Sequence, residues 1–143
     1  MPRKLIAAVL ALTLSTLFVF AQDDSEPTAS VWDGVYTEEQ AQKGKDNYAQ
    51  HCAGCHAPDL GGTPGGPALK GARFIFGWND KSVAELYEYT STMMPLGQAG
   101  SLSSEAYAAV VAHILEANDF PAGDEELLPD TDLLSNILIE REG

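Results

Sequence analysis

Tyr48-Ala49-Gln50-His51-Cys52-Ala53-Gly54-Cys55-His56 is the stretch on which the reading of the fold turns. Two cysteines stand three positions apart, a histidine follows at once, and the chain has no other cysteine. Thiols at this spacing can add to the two vinyl groups of one haem. The adjacent imidazole then meets the iron from the same side, which is the pattern of c-type haem attachment. Two other uses of paired thiols make different demands. A thioredoxin-type CxxC opens a helix inside a βαβ unit, where the helix N-terminus lowers the first thiol's pKa. Here the motif closes a helix and runs into Gly/Pro-rich sequence. A structural zinc site takes four protein ligands, and the remaining histidines, His51 and His113, do not form a second spaced pair.

Working outward, the motif ends a first helix. Thr37 with Gln40 makes a capping box, and Glu38 and Glu39 lie in the first turn, where the helix dipole favours anions. Ala41, Gly44, Tyr48 and Cys52 fall on one face of that helix. Ala57 to Gly77 reads as loop, because Gly61-Gly62-Thr63-Pro64-Gly65-Gly66-Pro67 is too rich in Gly and Pro for a regular element. A second helix starts at Ser82, with Glu85 completing a capping box, and stops at Pro95; Val83, Leu86, Tyr87 and Thr90 share a face. A third is capped by Ser103, and Tyr107, Val110, Val111, Ile114 and Leu115 form its apolar stripe. No alternating run reads as a strand. The expected fold class is all-α, three main helices with long loops around one covalent haem.

The 143 residues allow one domain with extensions. Residues 1–21 read as a signal peptide: Pro2-Arg3-Lys4 is a positive start, Leu5 to Phe20 carries no charge, and Val19-Phe20-Ala21 suits the peptidase. The rival is an N-terminal membrane anchor facing the periplasm. The uncharged stretch would span about 24 Å as a helix, short of the roughly 30 Å hydrocarbon core. No stable membrane insertion is expected once the leader is removed. Residues 22–36 read as a flexible acidic leader, 37–121 as the haem domain, and 122–143 as a solvated acidic tail with one short amphipathic turn. The whole chain carries 8 basic and 21 acidic residues, a formal charge of −13. Loss of Arg3 and Lys4 leaves six basic residues against the same 21 acidic ones, a charge of −15. Such a surface excludes binding to a nucleic-acid backbone, which needs a basic face. Export also places the thiols in an oxidising compartment, and thioether formation explains how two of them persist there.

Met93-Met94-Pro95 follows the second helix, and apart from Met1 these are the only methionines. A thioether opposite a histidine is the electron-transfer arrangement, in which the soft ligand favours Fe(II) and raises the potential. Met94, directly before Pro95, is the first choice of distal ligand and Met93 the second. His113 lies outside the apolar stripe and is expected to be partly exposed; His51 is too close along the chain to reach the opposite haem face. His56 needs a carbonyl to accept its Nδ1–H and fix the tautomer. Pro67, in the Gly66-Pro67-Ala68-Leu69 loop, is the expected acceptor.

From Tyr36 to about Gly123 these features resemble the class I c-type cytochromes, small monohaem proteins with the haem motif near the N-terminus and the methionine ligand near the C-terminus. The resemblance implies a cytochrome c-like fold, with Gly44 and Tyr48 packing against Tyr107 where the terminal helices cross. It implies haem c as the cofactor, the Pro67 carbonyl on the proximal histidine, and Trp78 beside a haem propionate. A narrower set is similar to cytochromes associated with quinoprotein (PQQ-type) dehydrogenases. It comprises Val31-Trp32-Asp33-Gly34-Val35-Tyr36-Thr37, Met94-Pro95, Gly100-Ser101-Leu102-Ser103 and Asn118-Asp119-Phe120-Pro121-Ala122-Gly123. The implied role is an exported one-electron carrier, not an enzyme. Its donor would be a separate periplasmic dehydrogenase and its acceptor a terminal oxidase or another cytochrome. The alternatives are a subunit fixed in a larger dehydrogenase or oxidase complex, and a haem enzyme or sensor with an open sixth position.

Overall fold

Thr37 caps the first helix, its Oγ1 accepting from the Gln40 amide at 3.1 Å, and α1 runs Glu38–His51. The other half of the expected capping box is not formed, because the Gln40 side chain turns to the Leu127 backbone. The computed structural model describes residues 27–142. Within them follow α2 (Ala53–His56), α3 (Ala72–Trp78), α4 (Val83–Met93), α5 (Ser104–Glu116) and α6 (Thr131–Leu134). Three short strands, β1 (Ala29–Ser30), β2 (Lys81–Ser82) and β3 (Ile137–Ile139), and a 3-10 turn at Val31–Asp33 complete the chain. Both halves of the Ser82/Glu85 capping box are formed at α4, and the Ser103 hydroxyl accepts from Ala106 N at α5. The three main helices therefore start where their caps place them. Helix α3 corrects the expectation of continuous loop from Ala57 to Gly77. It is seven residues long, has no side-chain cap, and is ordered by burying Phe74.

α1 lies across α5, and the crossing is set by Gly44. A Cβ there would collide with the carbonyl of Ala109 and come within 3.0 Å of His113 Cβ. With α1 on one side and α4 on another, α5 is buried at every position from Tyr107 to Leu115. This corrects the reading of His113 as partly exposed. It is 7% exposed, edge-on to the Tyr48 ring at 5.5 Å between centroids, with Nδ1 3.3 Å from Glu116 Oε2. The stripe rule assumes one open helix face, and α1 closes that face.

Burial lowers the His113 pKa below its ordinary 6.5, with Glu116 opposing and Lys45 adding to the shift. The fold thus resists protonation while the unfolded chain takes up the proton at its ordinary value. The His113 contribution is complete above about 6.5 and falls away as pH drops toward the lowered folded value. We expect the urea-midpoint difference between wild type and His113→Phe to move in favour of the variant between about pH 7 and pH 5. A difference independent of pH would refute the shift.

The chain ends depart furthest from expectation. Residues 1–26, on which the expected signal peptide and the start of the expected leader fall, lie outside the described residues. The described part of the leader is built into the fold: β1 pairs in parallel with β3, and β3 pairs antiparallel with β2, giving the sheet order β1-β3-β2. Val31 and Tyr36 are buried, the Tyr36 hydroxyl donates to Phe120 O, and Trp32 Nε1 donates to Glu140 O at 3.0 Å. The tail is likewise docked, not solvated, although its acidic side chains face water. Leu127, Leu134 and Ile139 are buried, and Gln40 exchanges two 2.8 Å hydrogen bonds with the Leu127 backbone. The absence of strands expected from sequence is corrected by the same sheet. Its strands are two or three residues long, too short to show alternation. Among the described residues no helix is long and apolar enough to cross a membrane.

Candidate haem-attachment site

Cys52 is the hinge of the site. Its amide completes α1 by donating to Tyr48 O, and its carbonyl starts α2 by accepting from Cys55 N at 3.1 Å and His56 N at 3.0 Å. One helical turn therefore separates the two thiols and the imidazole. Cys52 is half-buried, Cys55 is exposed, and neither is in a disulfide. Burial, and secondarily Cys55, pushes the Cys52 thiol up to about 11. A redox dithiol needs the opposite shift, a stabilised thiolate. Among the described residues no group of three or more His, Cys, Asp or Glu side chains is placed to hold a metal ion.

His56 is 8% exposed, and its Nδ1 lies 2.8 Å from the Pro67 carbonyl oxygen. With Nδ1–H donated there, Nε2 carries the lone pair that a metal takes. The acceptor belongs to the backbone, and the Gly/Pro-rich loop exists to deliver it. Thr63 Oγ1 donates to Cys55 O at 2.6 Å, Gly62 N donates to His56 O at 2.9 Å, and Thr63 pairs with Gly66 through two backbone bonds. Gly66 stands against the imidazole: a Cβ there would be 3.0 Å from Nδ1, Cε1 and the Cys55 oxygen.

Asn118 locks the far end of this loop, a role with no local signature in the sequence. Its Oδ1 accepts from Gly71 N at 2.8 Å, and Nδ2 donates to Leu69 O at 3.0 Å and Ile114 O at 2.8 Å. Asn118→Ala should cost about 1–3 kcal/mol, since it strands part-buried backbone groups. The readout is the chemical-denaturation midpoint, and an unchanged midpoint would refute the role.

Met94, the sequence's candidate for the second ligand, is half-buried and is the C-cap residue of α4, whereas Met93 is 50% exposed. The Met94 carbonyl accepts from the Tyr107 hydroxyl at 2.8 Å. The Tyr48 hydroxyl donates to Ala57 O at 2.7 Å, immediately after His56. The α1–α5 pair thus holds each candidate ligand segment by one tyrosine hydroxyl. Sequence placed both tyrosines at the helix crossing, and the need of a buried O–H for an acceptor is the signal that could have found this second role. Trp78, half-buried at the end of α3, packs edge-on to Tyr89 at 5.8 Å and tilted against Phe74 at 6.4 Å. His51 is exposed.

Two unpaired thiols one turn apart, followed by an imidazole whose Nδ1 is already committed, fit covalent haem, and the site defines a c-type cytochrome domain. The chain belongs to the family described as cytochrome c oxidase, cbb3-type, subunit III, which matches residues 39–114, just over half of the 143. Family membership implies covalently bound haem c, a role in electron transport, and redox partners; domains of this kind are typically exported. No curated protein matches the chain. Among solved structures, the sulfane dehydrogenase SoxCD from Paracoccus pantotrophus is similar at 22% identity and a TM-score of 0.50, over 75% of this chain. The match spans 61% of the SoxCD chain, and at that identity it speaks for the fold, which is cytochrome c-like.

Proposed function

We propose that this protein is an exported, monohaem electron carrier. It would accept single electrons from a periplasmic dehydrogenase, of the quinoprotein class, and pass them to a terminal oxidase or another cytochrome. The observation that carries the reading is the Cys52/Cys55/His56 turn with its imidazole oriented by Pro67. Cys52 and Cys55 would hold one haem by thioethers, with His56 on the proximal side of the iron and Met94 on the distal side. Trp78 would stand beside a propionate. Haem bound there supplies an iron that cycles between Fe(III) and Fe(II), one electron at a time. Pro67 fixes the His56 tautomer and ring plane, so the ligand keeps its geometry in both oxidation states. Tyr107 holds the Met94 backbone in the same way. The buried faces of α1, α4 and α5 would shield a bound iron from water. The chain makes and breaks no substrate bond on this reading, so it is not an enzyme.

The acidic surface suits transient encounter with a cationic partner, since long-range attraction raises association rates and is screened by salt. A second reading, a subunit fixed in a larger oxidase or dehydrogenase, is favoured by the family's description, which names a subunit of an oxidase. The tail surface also keeps Leu128 and Leu133 about half exposed, at 52% each. Two measurements on protein made in a host with c-type maturation test the proposal. Mass spectrometry should find the chain heavier by one haem, retained after denaturation. A reduced-minus-oxidised spectrum should show sharp low-spin bands. A colourless protein of bare polypeptide mass ends the reading, and co-purification with a partner at high salt favours the fixed subunit over the diffusing carrier.

A further inference from the structure

We propose that residues 124–142 are a strap that keeps Met94 in its ligand position by pinning the opposite end of α4, with Leu134 and Ile139 as the positioning residues. The inference rests on the reading of Met94 as distal ligand. The strap lies outside residues 39–114, the part matched by the family.

Helix α4 is eleven residues long, about 16 Å, and its two ends are held by different parts of the molecule. At the C-terminus sits Met94, tied to α5 by the Tyr107 hydroxyl. At the N-terminus Ser82 has two duties, as the cap of α4 and as the last residue of β2. Strand β3 pairs with β2 in the register Ser82↔Leu138 and Lys81↔Ile139. Asp80 N donates to Ile139 O at 2.8 Å, and Arg141 N donates to Asn79 Oδ1 at 3.2 Å. Helix α6 packs on the flank of α4, with Leu134 1% and Ile139 0% exposed. The strap is itself anchored to α1 through the paired Gln40–Leu127 hydrogen bonds.

The physical consequence concerns local opening. A thioether is a soft, neutral ligand, and Met94 would stay on the iron only while the polypeptide that carries it holds it in place. It leaves whenever that polypeptide unfolds locally, and the free energy of such opening depends on the contacts broken. Without the strap, α4 keeps α5 on one side and loses its pinned N-terminus. The segment carrying Met94 would then open more often, and an added ligand would compete with the Met94 thioether more readily.

The test uses the full-length haem-loaded protein in four forms: wild type, Leu134→Ala, Ile139→Ala and Leu133→Ser. Leu133 lies on the same helix, α6, but is 52% exposed. Three quantities are read: the far-red band of the Met–Fe(III) bond, the rate of imidazole binding to ferric protein, and amide hydrogen exchange along the chain. Leu134→Ala and Ile139→Ala should bind imidazole roughly tenfold faster or more, the factor for each 1.4 kcal/mol lost from local opening. Exchange should rise over residues 83–93 while α1 and α5 keep their protection, and Leu133→Ser should match wild type. Unchanged imidazole rates in both strap variants would overturn the inference. So would loss of protection in α1 and α5 in step with α4, which would make the strap a general stabiliser. A wild type without a Met94-dependent band is a different failure: it removes the ligand assignment itself, before any strap variant is compared.

Discussion

Met94→Ala, in haem-loaded protein, is expected to lose the far-red absorption of the Met–Fe(III) bond, turn high-spin, and fall sharply in reduction potential. Axial ligands set haem potentials over a range of about 0.8 V, and a thioether sits at the high end because it favours Fe(II). Replacing it by water or hydroxide should use up a large part of that range. Met93→Ala should change neither the band nor the potential. The two methionines are adjacent in sequence but differ in setting: Met93 is 50% exposed at the last turn of α4, and Met94 is half-buried with its carbonyl held by Tyr107. If Met93→Ala gives the large effect, the distal side has been assigned to the wrong residue. If neither does, the sixth position is open and the sensor or enzyme alternative returns.

Gly44→Ala should destabilise the protein by about 3 kcal/mol, the upper part of the usual range for overpacking. In an ordinary exposed helix the same change is worth about 1 kcal/mol in the opposite direction. The sign reverses because the new methyl group would meet the backbone carbonyl of Ala109, which cannot rotate aside as a side chain could. Relief requires α1 and α5 to move apart, and that pair carries both Tyr48 and Tyr107. Covalent attachment should survive, so the loss reads out as a lower urea midpoint in coloured protein. Gly77→Ala is the internal comparison: it is also helical, has nothing within 4 Å of its added Cβ, and should be neutral or slightly stabilising. A Gly44→Ala protein as stable as wild type would show that the helices can separate freely.

How far the site could be read in advance depended on the range of the interaction. Ser82 with Glu85 and Ser103 with Ala106 are contacts three residues apart, so residue type and spacing define them. The Pro67 carbonyl was accessible to reasoning because a proline in a short loop eleven residues from His56 has few conformations. Asn118 reaches Leu69 across 49 positions and Gly71 across 47, and an isolated asparagine carries no mark of that use. His113 looked exposed because its own helix shows only one stripe; the side that buries it belongs to α1.

The spacing of Cys52, Cys55 and His56 and the starts of α1, α4 and α5 were determined by the sequence alone, since each depends on groups within a turn of one another. Where the ends of the chain go was decided only by tertiary structure. Gln40 meets Leu127 across 87 residues and Trp32 meets Glu140 across 108. Composition read those segments as solvated because acidic side chains dominate them. Their burial rests on a few apolar residues, Val31, Leu127, Leu134 and Ile139, and on backbone pairing, and any strand can supply backbone pairing whatever its side chains.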